Sequence, residues 1–218
     1  MRITTQFARG KDTSYKCIVT YPDDFNKAKE KLPMIVFLHG MGERGDDVEL
    51  VAVHGIPKLF SANAEHRGLR VITVSPQCPA NETWRTKVTG VMKFIENAAD
   101  FYGADRDKIS LTGLSMGGFG TFSVGEKYAK RFSCLAPICG GGHPEKAKDY
   151  GKIPIRIYHG TADTVVPPVC SQEMHDAITK AGGCSELTMY EGVGHDSWTA
   201  AYEKSDLIPW LVSKTRLK

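Results

Sequence analysis

The chain has 218 residues, of which 41% are hydrophobic and 24% charged, and a formal net charge of +3. That balance fits a soluble globular protein of one domain with a full core. It has no basic stripe and no apolar run near the roughly 18–20 residues that cross a bilayer, so neither nucleic acid nor membrane is expected as a partner.

The opening segment MRITTQFARGKDTSYK lacks the apolar core of a signal peptide. As written, the chain is expected in the cytoplasm; a trimmed leader would make it secreted or periplasmic. The six cysteines, Cys17, Cys78, Cys134, Cys139, Cys170 and Cys184, form no CxxC pair. Zinc spacing is therefore absent, and no metal or cofactor is expected. Reduced, buried thiols are the simplest reading, although an even count also permits disulfides.

Taken in chain order, SYKCIVTY (14–21) predicts the first strand. PMIVFLHG (33–40), RVITVSP (70–76), KISLTG (108–113) and FSCLAPICG (132–140) predict the next four. IPIRIYHG (153–160) and ELTMYEG (186–192) complete the series. Such β-branched runs, bounded by turn residues, suit strands buried on both faces. Between them, Val88, Met92, Ile95, Ala99 and Tyr102 recur on one helical face. GGFGTFSVGEKYAKRF (117–132) and PPVCSQEMHDAITKAGG (167–183) also read as helices, the second with proline at its start and glycine at its end. SWTAAYEKSDLIPWLVSKTRLK (197–218) predicts one helix, or two separated near Pro209. Strands alternating with helices imply an α/β protein: a mostly parallel sheet with helices on both faces, in one domain over 1–218. In such sheets, sites form at the carboxyl ends of strands.

Three strand ends carry the residues of a nucleophilic site, in the order Ser115, Asp163, His195. GLSMG (113–117) matches G-x-S-x-G, a sharp strand-to-helix turn that lifts a serine above the sheet. Gly113 and Gly117 remove the Cβ atoms that would clash there. The pattern alone is common; an apolar strand before it and an amphipathic segment after it make it informative. A serine hydroxyl needs a base, and His195, on a loop after the last strand, is the candidate. Asp163 is placed to accept the histidine Nδ1 proton and fix the tautomer. Asp196 adjoins the histidine and would struggle to reach the far side of its ring. The backbone N–H groups of Met116 and Met41 are the candidate oxyanion donors. His39 reads as a residue that orients the loop.

Together, FLHGMGERGDD, SPQCPANETW, GLSMGGFGT, PICGGG, YHGTADTVVP and GVGHDSW resemble the α/β-hydrolase esterases of the predicted-peptidase group. That group is related to the phospholipase/carboxylesterase and dienelactone-hydrolase-like families and to feruloyl and acetylxylan esterase domains. The resemblance runs from about residue 33 to 212. It implies a serine hydrolase of carboxylic esters with Ser115, Asp163 and His195 as triad. The chain departs from the dienelactone hydrolases, which carry cysteine where it has Ser115. It also lacks the long insertions that make a lipase lid, which favours small or accessible acyl groups, acetyl or feruloyl among them.

Other residues carry two readings each. Glu43 and Arg44 either support the oxyanion loop as an ion pair or touch a polar substrate. Trp84 and Trp198 either pack or wall an aromatic or sugar cleft. Gln77 and Cys78 lie at a strand end and border the pocket on one reading. Gly140, Gly141 and Gly142 either turn the chain or let it approach substrate. His54, His66, His143, His159 and His175 read as surface or structural, with His159 bracing the acid loop. The expected substrate is a small-molecule or carbohydrate-linked ester, and activity is expected to rise with pH through a histidine-like pKa near about 6–7. A peptidase or thioesterase with the same triad, or a non-catalytic binding protein on this fold, are the alternatives. Oligomeric state is not assigned.

Overall fold

A computed structural model describes residues 1–11, 13–62 and 68–217; His66 lies outside them. In chain order the strands are β1 (Arg2–Ala8), β2 (Ser14–Thr20), β3 (Met34–Leu38), β4 (Ile72–Pro76) and β5 (Ile109–Leu114), then β6 (Cys134–Ile138), β7 (Pro154–Gly160) and β8 (Cys184–Tyr190). The helices are α1 (Gly55–Ala62), α2 (Val88–Tyr102), α3 (Met116–Tyr128), α4 (Val169–Lys180) and α5 (Leu207–Ser213). The strands form one sheet in the order β1-β2-β4-β3-β5-β6-β7-β8. β1 and β2 pair antiparallel with each other, and β2 pairs antiparallel with β4. Every other pairing is parallel.

The sequence dictates which strands are central. β3, β4, β5 and β6 are buried at every position, as their continuous apolar runs require. β1 and β8 alternate in exposure and form the two edges. Period two divides β3 between two cores. Met34, Val36 and Leu38 face a cluster with Phe94 of α2, Phe122 of α3 and Met174 of α4. Ile35 and Phe37 face the other, with Ile56 and Phe60 of α1 and Leu207 and Leu211 of α5.

Three features depart from expectation. β1 carries no clear strand signal, because ITTQF offers only Ile3 and Phe7 to the core, both partly buried. The 3₁₀ turn Val48–Val53 and α1 are likewise absent from the predicted elements. The C-terminal break falls at Ser205–Asp206 rather than near Pro209. Ser205 Oγ accepts from Leu207 N–H at 3.1 Å and starts α5 afresh. Pro209 then lies in the first turn, where its missing N–H costs nothing.

The topology gathers four strand ends. Ser115 follows β5 directly, the loop 39–47 leaves β3, Asp163 follows β7, and His195 follows β8.

Candidate active site

Ser115 has φ 52° and ψ −116°, a conformation that L-residues rarely adopt. The strain, of order 1–3 kcal/mol, is held by neighbours. Ser115 N–H donates to Ile138 O at 3.0 Å, tying the turn to β6. Two glycines make the approach possible. A Cβ on Gly117 would overlap the Leu38 carbonyl, and one on Gly118 would overlap the Ile138 carbonyl. Gly118, without a clear task in the sequence, thus lets α3 lie against β6.

The three residues from separate strand ends meet in one hydrogen-bonded chain. Ser115 Oγ lies 2.9 Å from His195 Nε2, and His195 Nδ1 lies 2.7 Å from Asp163 Oδ2. An ionised carboxylate only accepts, so Nδ1 carries the proton and Nε2 is free to accept from the serine hydroxyl. The Asp163 side chain is fully buried, whereas the His195 side chain is 20% exposed. Burial alone pushes the Asp163 carboxyl up. The hydrogen bonds from His195, Val166 N–H and Val165 N–H more than offset this and hold it below the usual carboxylate range. Asp196 instead accepts from the Thr199 N–H and hydroxyl.

His159 completes the acid's shell. Its Nε2 lies 3.2 Å from Asp163 Oδ2 and 3.0 Å from Val166 O, both acceptors, so this nitrogen bears the proton. Nδ1 lies 2.7 Å from Ser171 Oγ. Burial lowers the His159 pKa and favours the neutral ring. Cys139 Sγ also lies close: with one ligand atom each of Asp163 and His195 it forms a group within 4.8 Å, a neighbour that sequence spacing could not reveal. Burial raises its thiol to about 12, so it presents S–H rather than a thiolate for a metal.

Among the described residues, neither Met116 N–H nor Met41 N–H has a protein acceptor. Both residues line one groove with Ser115. The loop bearing Met41 is held from behind. His39 Nδ1–H donates to Gly40 O at 2.6 Å, and His39 Nε2 accepts from Cys78 N–H at 2.9 Å. Burial lowers the His39 pKa to about 4, so the ring is neutral.

A family model for phospholipases and carboxylesterases matches residues 25–205. The chain belongs to that family. It is a hydrolase of the esterase and thioesterase type. A curated relative, acyl-protein thioesterase 1 homolog 2 of Dictyostelium discoideum, is 24% identical over 68% of this chain and 78% of its own. The solved structure of a thermostable esterase superposes with a TM-score of 0.88 at 31% identity; the match covers 99% of this chain and 63% of that one. A feruloyl esterase module from Clostridium thermocellum superposes with a TM-score of 0.80 at 13% identity, covering 100% of this chain and 90% of that one, a likeness of fold.

In this phospholipase/carboxylesterase-family hydrolase, Ser115 borders a groove. Its volume is about 850 Å³, its apolar wall formed by Met41, Met116, Phe119, Val165 and Val166. None of the four substrate candidates read from the sequence lines it. Trp84 is fully buried and donates from Nε1 to His39 O at 2.9 Å. Gln77 is 3% exposed and donates to Glu43 O and Asp47 O. Both brace the loop 39–47 from inside. Trp198 sets its ring at 89° to that of His195, centroids 5.3 Å apart, and so helps to orient the imidazole. Glu43 lies within that loop, its Oε2 3.7 Å from His39 Nδ1. Phe119, Val165 and Arg85 are among the lining residues that the sequence does not mark. Phe119 is one helical turn beyond Met116, a spacing that could have pointed to it.

Proposed function

We propose that the chain is a serine carboxylesterase working through an acyl-enzyme. The observation that carries this reading is the unbroken chain from Ser115 Oγ to His195 to Asp163, with two open N–H groups alongside. His195 Nε2 takes the Ser115 proton as Oγ attacks the ester carbonyl. The tetrahedral oxyanion is bound by Met41 N–H and Met116 N–H; a donor of this kind contributes about 3–4 kcal/mol to the transition state. His195 then returns the proton to the leaving alcohol. Water, deprotonated by the same nitrogen, releases the acid. Asp163, already ionised, stabilises the transient imidazolium without taking its proton. All groups used are protein groups and water.

The open groove supports a small or accessible acyl group, and the aromatic face of Phe119 suits feruloyl-type acids. The thioesterase reading is favoured by one observation, the name of the Dictyostelium relative. Matched oxygen ester, thioester and amide substrates with one acyl group separate the readings. A carboxylesterase is expected to hydrolyse the oxygen ester at least as fast as the thioester, and the amide far more slowly. A strong preference for the thioester would replace the proposal.

A further inference from the structure

The groove beside Ser115 is apolar only near the serine. Met116, Phe119, Ser123, Glu126 and Lys127 all line it and follow one ridge of α3. At 1.5 Å per residue this ridge runs about 15 Å from the oxyanion donor. Its floor changes from Met and Phe to charged groups along that distance. Across from it stands Arg85, whose guanidinium lies 5.4 Å from the centre of the Phe119 ring. Arg85 therefore stands beside Phe119, which lies one helical turn beyond Met116 on α3.

The arrangement around Arg85 is an ordered chain. Glu126 Oε2 lies 2.9 Å from His143 Nδ1, and His143 Nε2 lies 3.3 Å from Arg85 Nη2. A carboxylate accepts, so Nδ1 of a neutral ring bears the proton and Nε2 accepts from the guanidinium. Glu126 thus sets the tautomer that steadies Arg85. Among the described residues, Arg85 makes no salt bridge, and Nη2 is its only nitrogen in a side-chain hydrogen bond. Its Nε and second terminal nitrogen remain open. Nearby, Lys127 Nζ is turned to Thr89 Oγ1 at 3.0 Å. Arg85, Lys127 and Glu126 sum to one positive charge, which a single carboxylate neutralises and a phosphate dianion overshoots.

Resting on the esterase reading, we propose that the groove holds a carboxylate-binding subsite at Arg85, selecting esters whose acyl part ends in a carboxylate. The apolar wall takes the methylene chain, and the planar guanidinium fork takes the two carboxylate oxygens.

The test compares 4-nitrophenyl half-esters of adipic and suberic acid with the same esters carrying a terminal carboxamide. The readout is the ratio of kcat/KM for the acid over the amide, corrected for spontaneous hydrolysis. It is measured in one preparation, so loss of folded protein cancels. The ratio is expected to be about ten in the native chain at low salt, near one in Arg85→Gln, and intermediate in Arg85→Lys. It is expected to persist in Lys93→Gln, a change outside the groove. A native ratio near one, or a ratio of ten surviving in Arg85→Gln, overturns the subsite while leaving the esterase reading intact. No turnover of either ester removes both.

Discussion

At the scale of single residues, the site is defined by geometry that few side chains satisfy. Asp163 Oδ2 receives His195 and His159, and Oδ1 receives the N–H groups of Val165 and Val166. Asparagine would fit the space but offers an N–H₂ where an acceptor is required. Asp163→Asn is expected to lower kcat by about 10³–10⁴ with little change in KM, as in triads generally. A loss under tenfold, measured in steady state, would show that His195 does not depend on this acid. Gly118 is a second sensitive position. Gly118→Ala puts a methyl against the Ile138 carbonyl, and is expected to cost roughly 3 kcal/mol or more. A thermal midpoint within a degree of the native value would contradict that packing. The triad was legible from residue types, spacing and order. The groove was not, because whether Trp84 or Phe119 faces a cavity depends on which side of an element it occupies, and the sequence marks both only as aromatic.

At the scale of elements, the loop leaving β3 depends on a neutral buried histidine. The unfolded chain takes a proton on His39 near pH 6.5, whereas the folded protein resists until about pH 4. Between those values the unfolded state binds more protons, so stability falls as pH falls, by about 3 kcal/mol across the window. His159, whose pKa is also lowered, adds to the same slope. Denaturant unfolding from pH 7 to 4 is expected to show a shallower decline in His39→Gln than in the native chain; parallel curves would contradict the assignment. The elements themselves were read well where apolar runs were continuous, as in β3 through β7. β1 escaped because Thr4, Thr5 and Gln6 interrupt its apolar positions, and only pairing with β2 makes them a strand. The C-terminal break escaped because proline is the louder signal, while the side chain of Ser205 makes the boundary.

At the scale of the molecule, an edge-to-edge sheet brings residues 115, 163 and 195 to one rim, beside an open groove. Met41 is 55% exposed and Val165 66% exposed at the mouth of the groove. Hydrolysis of a short-chain ester is therefore expected to follow ordinary saturation through its solubility limit. A jump in rate at that limit would indicate a cover that opens at an interface. The order serine, acid, base along the chain, with each residue after its own strand, was what made the fold and the site readable together.

The most direct measurement is covalent labelling by a fluorophosphonate, followed by peptide mapping, in the native chain and in Ser115→Ala. One label per chain is expected, on Ser115, with loss of ester hydrolysis in step with labelling. Ser115→Ala is expected to show neither label nor hydrolysis above background. Labelling at another residue, or full esterase activity in Ser115→Ala, would contradict the role of Ser115 as nucleophile.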